Sequence, residues 1–155
     1  MQCMQYTPAA LPSETKRSFR ALLVTVLIVM TIQGWFGDTV NIFVAPPTGI
    51  TPPAFSTAAF FQTVQSYGFL LIYHTGEGFA LVVLGVIAAA LAFKWSPKSS
   101  VRICAILGLI AVISAAVGGY LFVLSGFSNG GNSAQMGGSF IGAYALYFMT
   151  LYYAK

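Results

Sequence analysis

The stretch 103–124, ICAILGLIAVISAAVGGYLFVL, carries no charged side chain from end to end. A helix rises about 1.5 Å per residue, so a run of this length crosses a hydrocarbon layer about 30 Å thick. A barrel strand needs only about ten residues for the same crossing and alternates in polarity, which this run does not. The stretch therefore predicts a membrane-spanning helix, whose ends we place at residues 101 and 127.

Working outward, three further segments fit the same description. Residues 21–44 open with ALLVTVLIVMTI and stop short of Pro46 and Pro47, through which a helix does not readily extend. Residues 67–93 enclose LLIYHTGEGFALVVLG (70–85), and FSTAAFFQTVQS (55–66) ahead of them either lengthens that helix or lies along the surface. Residues 135–153 supply the fourth. The whole chain of 155 residues is 57% hydrophobic and 6% charged, against about 45–50% apolar and about 25% charged in soluble domains. The expectation is an all-α integral membrane protein, a four-transmembrane-helix bundle forming one domain over residues 21–155 behind a polar tail of residues 1–20. Its linkers are short: APPTGITPPA (45–54), KWSPKSS (94–100) and SNGGNSAQMGG (128–138).

Charge sets the expected orientation. Lys16, Arg17 and Arg20 precede the first span, Lys94, Lys98 and Arg102 lie between the second and third, and Lys155 follows the fourth. Basic residues beside spans stay on the cytoplasmic side, so both termini are expected there, in the plasma membrane, with the proline-rich and glycine-rich loops outside. The net charge of +4 follows from that arrangement. No basic cluster is interleaved with solvent-facing aromatics, so no nucleic-acid role is expected. The tail lacks the early basic region and cleavage site of a secretory signal, and the first span is expected to stay as an anchor. Cys3 and Cys104 both fall on the reducing side, where a structural disulfide is disfavoured.

Lipid gives helices no net hydrophobic drive to associate, so they pack through small residues. Ala111, Ala115 and Gly119 stand at four-residue spacing, as do Gly138 and Gly142, and Gly78 and Gly85 share a stripe with His74. That stripe turns His74, the single histidine, inward. Glu77 lies three residues on, and Thr31, Gly34, Asp38 and Asn41 form a polar stripe on the first span. With an outer boundary near residue 66, His74 sits roughly 12 Å deep. His74, Glu77, Asp38 and Asn41 thus gather in the outer half, within reach of Tyr120, Ser125, Ser139 and Tyr144. An ionisable group at the bilayer centre costs roughly 2.5–3.5 kcal/mol, so such groups face a cavity or a partner, and this cluster is the candidate site.

Several chemistries suit it. The pair could be an interhelical hydrogen bond alone. His74 could be the axial ligand of a b-type haem, with Met136, a second protomer's histidine or nothing opposite it. It could instead carry a proton for a quinone, relayed by Glu77 or Asp38, or line a small transporter. Catalytic residues are not expected: zinc wants three protein ligands, di-iron bundles want two Glu-x-x-His motifs and further Glu, and no nucleophile elbow marks a serine. The glycine-rich loop lacks the lysine of a phosphate-binding loop. With so little independent chemistry, the expected role is a subunit of a larger membrane, respiratory or redox, assembly. Its expected partners are the lipid bilayer and other membrane subunits or a second copy of itself.

Overall fold

The computed structural model describes residues 13–43 and 56–155, and in them the chain is all-helical. The helices are α1 (Ser13–Phe43), α2 (Thr57–Ser66), α3 (Phe69–Trp95), α4 (Ser99–Leu124) and α5 (Gly130–Tyr153). Three of them, α1, α3 and α4, are long and apolar enough to cross a membrane. At 24 residues, α5 has comparable length, but its glycines, serines and tyrosines dilute its hydropathy. The helix count differs from the expected four because residues 57–66 do not lengthen α3. They form their own short helix.

The local signals explain the breaks. The Ser56 hydroxyl accepts from the Ala59 N–H at 3.1 Å and starts α2. Gly68, at φ +83°, separates α2 from α3 in a backbone conformation that other residues adopt only with strain. Between α4 and α5 the chain turns through Gly126 and Phe127, at φ +63° and +61°. The Phe127 N–H donates to the Phe122 carbonyl at 3.0 Å, closing the end of α4. Phe127 is held in this unusual conformation by ring contacts with Tyr67 and Phe122. Asn129 then caps α5, accepting from the N–H groups of Gly131 and Asn132.

The long helices close a ring in the order α1, α3, α4, α5, and α2 rests on α3 and α4. The nearest backbone approach is between α4 and α5. A Cβ added at Gly118 would lie 2.9 Å from the Met136 backbone nitrogen and 3.1 Å from the Asn132 carbonyl. The expected pair Gly138 and Gly142 plays no such part, since a Cβ at either would meet nothing within 4 Å. Contact on α5 instead falls on a different face, on the line of Asn132 and Met136. Hydroxyls of Ser114 and Ser139 share a 2.9 Å hydrogen bond across the same pair of helices.

Two cores divide the bundle. The larger includes Leu23, Met30, Leu81, Ala88, Val112 and Tyr147. The smaller gathers around α2, with Val40, Phe60, Val64, Leu71 and Val123. Basic residues lie at the end next to the larger core: Lys98 Nζ donates to the carbonyls of Tyr153 and Lys155, and Arg102 Nε donates to the Ser96 carbonyl. Large apolar side chains such as Phe69, Ile141 and Trp35 face outward, as a lipid-exposed surface allows. The aromatic run of α5 splits accordingly. Phe148 and Tyr152 point out, whereas Tyr147 is completely buried.

Candidate functional site

Between the two cores lies a cavity of about 650 Å³. Its walls are largely apolar, with Val40 from α1, Phe60 from α2, Leu71 and Leu81 from α3, Val112 and Val123 from α4 and Phe140 from α5. The polar groups on its lining are Gln33 and Asp38 of α1, His74 and Thr75 of α3, Tyr120 of α4 and Ser133 of α5. Met136 lines it too, with its sulfur 3.1 Å from where a Cβ at Gly119 would stand.

His74 is held from α1. Gln33, only 7% exposed, donates through Nε2 to the His74 backbone carbonyl at 3.0 Å. The same nitrogen lies 3.5 Å from His74 Nε2, at the outer limit of a hydrogen bond. Because that amide nitrogen is a donor, a neutral ring accepts on Nε2 and carries its proton on Nδ1. The imidazole fits against α1 because residue 37 is glycine: a Cβ there would stand 3.1 Å from His74 Cε1. Gly78, one turn below His74, faces the Gln33 amide, which would make an ordinary contact of 3.6 Å with a Cβ at that position. Among the described residues, Gln33 Oε1, His74 Nδ1 and Glu77 Oε2 are buried and have no hydrogen-bond partner.

The expected cluster is thus only partly assembled. His74 and Asp38 share the cavity, Asp38 from an exposed position on α1. Glu77 is half-buried but is not part of the lining. Asn41 lies in α1, and its side chain falls outside the described residues, as does all of Cys3. Tyr120 belongs to the cavity, while Ser139 pairs with Ser114, Ser125 closes the end of α4, and the Tyr144 hydroxyl lies 3.4 Å from that of Thr31. The residue the sequence reading passed over is Gln33. Its signal was available as the one amide inside the apolar run VMTIQGW, where a group needing hydrogen bonds is nearly as informative as a charge.

An axial haem ligand needs an imidazole nitrogen open to the space the macrocycle fills. Here Nε2 faces the Gln33 amide and Nδ1 is shielded, so the ring as placed is disposed toward hydrogen bonding. Among the described residues, no group of three His, Cys, Asp or Glu side chains is arranged to hold a metal ion. Compared with protein-family models, curated proteins and solved structures, the chain shows no match.

Proposed function

We propose that the protein is a four-span subunit of the cell membrane that holds a quinone in the cavity between its two cores, in the service of a larger redox assembly. The observation that carries this reading is the cavity's division of chemistry. A quinone is a flat apolar ring with two carbonyl acceptors and an apolar tail. The cavity offers apolar walls and a small set of hydroxyl groups at Thr75, Tyr120 and Ser133, with the His74 imidazole on its lining. Its volume lies within the roughly 300–1,000 Å³ usual for small-molecule sites. Asp38 at its exposed edge provides a carboxylate through which a proton could pass.

The four-span topology rests on length and on charge. The 24 residues of α5 extend about 36 Å, enough for a crossing. Four crossings bring Arg20, Lys98 and Lys155 to one end, which becomes the cytoplasmic end by the positive-inside rule, with both termini on that side.

Purification in a mild detergent, followed by solvent extraction and mass spectrometry, tests the reading, together with titration of decylubiquinone by fluorescence quenching. We expect quinone to accompany the protein and His74→Ala with Tyr120→Phe to weaken decylubiquinone binding at least about tenfold, equivalent to about 1.4 kcal/mol. A preparation free of quinone that also fails to bind decylubiquinone overturns it. A Soret band lost in His74→Ala would replace it with the haem reading.

A further inference from the structure

A second depression, of about 230 Å³, lies far from the cavity, at the basic end of the seam between α1 and α5. It is lined by Arg20 of α1, by Phe148, Leu151 and Tyr152 of α5, and by Lys155. Two cations therefore meet over an apolar floor. The Lys155 ammonium is held 4.2 Å from the centre of the Tyr152 ring, which fixes it at the mouth of the depression.

Neither cation has a carboxylate side chain to answer it. The chain has three acidic residues. Asp38 and Glu77 lie toward the other half of the bundle, and Glu14, six positions before Arg20 on the same helix, is turned about 120° away from it. Lys98, by contrast, is occupied with the carbonyls at the end of α5. Above the depression the seam continues with exposed apolar side chains. Val24 and Ile28, both exposed, follow Arg20 at four-residue intervals on α1, and the exposed Phe148 lines the depression from α5. Charge below and apolar surface above match a molecule with a phosphate head and hydrocarbon tails.

We infer that this seam is a binding site for an anionic phospholipid, with Arg20 and Lys155 on the phosphate and the acyl chains along Val24, Ile28 and Phe148. Arginine suits the role because its planar fork can bond two phosphate oxygens at once, and basic pockets between spans on the cytoplasmic side are suited to anionic headgroups.

The test uses the full chain in dodecyl maltoside micelles, with retained lipid counted by native mass spectrometry. Phosphatidylglycerol is expected to be retained about tenfold more strongly than phosphatidylcholine. The variant Arg20→Gln/Lys155→Gln should lose that preference, while Lys16→Gln/Arg17→Gln, which removes the same charge from the same end, should keep it. In the unmodified protein, phosphatidylglycerol should also slow acetylation of Lys155 more than that of Lys16, a measurement that stands even if the first variant fails to fold. Equal loss in both double variants, or equal protection of both lysines, would reduce the effect to diffuse surface charge and overturn the site. Displacement of the lipid by millimolar inorganic phosphate would likewise overturn it in favour of a free-anion site.

Discussion

Gln33 grips the main chain of His74 more closely than its ring: its amide donates to the His74 carbonyl at 3.0 Å and stands 3.5 Å from the imidazole Nε2. The imidazole can therefore be removed without removing the main hydrogen bond between α1 and α3. Interhelical hydrogen bonds in membrane bundles contribute about 0.6 kcal/mol on average and about 1.7 at most. We expect Gln33→Met to destabilise the bundle by an amount in that range in reversible denaturation. Because His74→Ala leaves the carbonyl in place, the two changes should be additive within about 0.5 kcal/mol in a double-mutant cycle. A coupling well above that would mean that the ring contact is the stronger one.

The packing of α4 on α5 makes a prediction that separates two kinds of glycine. At Gly118 a methyl group would press on the backbone of Asn132 and Met136, which cannot swing aside as a side chain can. Gly118→Ala should therefore destabilise the protein by about 1–3 kcal/mol, the usual range for overpacking. At Gly142 a methyl group meets nothing within 4 Å. Gly142→Ala should be neutral or stabilising by up to about 1 kcal/mol through reduced backbone freedom in the unfolded chain. Thermal unfolding in detergent ranks the two, and the opposite order would mean that the α4–α5 seam lies on the Gly138/Gly142 face.

Topology is open to direct labelling. In a background with Cys3→Ser and Cys104→Ala, a cysteine can be placed at Pro97, an exposed residue beside the basic end, or at Gly130, where an added Cβ is unobstructed. With a membrane-impermeant maleimide on intact cells, we expect Gly130→Cys to react and Pro97→Cys to react only after the membrane is opened. Reaction of both in intact cells would contradict crossings by α4, and the reverse pattern would put the basic end outside.

The sequence displayed helices plainly and helix faces poorly, for one physical reason. In water an amphipathic stripe marks the buried side, but in lipid both sides of a span are apolar, so periodicity loses its direction. The long uncharged runs 103–124 and 78–93 are enough to locate α4 and α3. On α1, however, the stripe expected to face inward is met only in part: Gly34 and Asp38 line the cavity, but Thr31 and Asp38 are exposed, whereas Gln33 and Val40 are buried. Neighbouring residues on a helix point about 100° apart, so a phase error of one or two positions exchanges the site residue Gln33 for its neighbours. His74 was legible because glycines mark its stripe. Gln33 lies one position off the polar stripe drawn through Thr31, Gly34, Asp38 and Asn41, and the division between α2 and α3 rests on a single glycine, Gly68, of a kind that also occurs inside these helices.

Tyr147 yields the sharpest expectation. Its ring packs on Gly108, where a Cβ would stand 3.1–3.3 Å from ring atoms, and its hydroxyl occupies the space beside Gly85, where a Cβ would lie only 2.6 Å from the oxygen. The residue is fully buried, and the hydroxyl has no hydrogen-bond partner among the described residues. A buried unpaired hydroxyl is a liability of about 1–3 kcal/mol, so Tyr147→Phe should leave stability unchanged or raise it. Gly85→Ala alone should destabilise strongly, because the oxygen is held at the end of a rigid ring. Combining the two removes the offending atom. The ring carbon that bore the oxygen then stands 3.8 Å from the new methyl, an ordinary contact, and the remaining close neighbour, Leu109 Cδ1 at 3.1 Å, is the free end of a flexible side chain. The double variant should therefore recover most of the stability that Gly85→Ala loses, which thermal unfolding of the four proteins would show as a large favourable coupling. If the double variant is as unstable as Gly85→Ala, the hydroxyl is not what fills the notch at Gly85, and the reach of the Tyr147 side chain from α5 across to α3 is wrong.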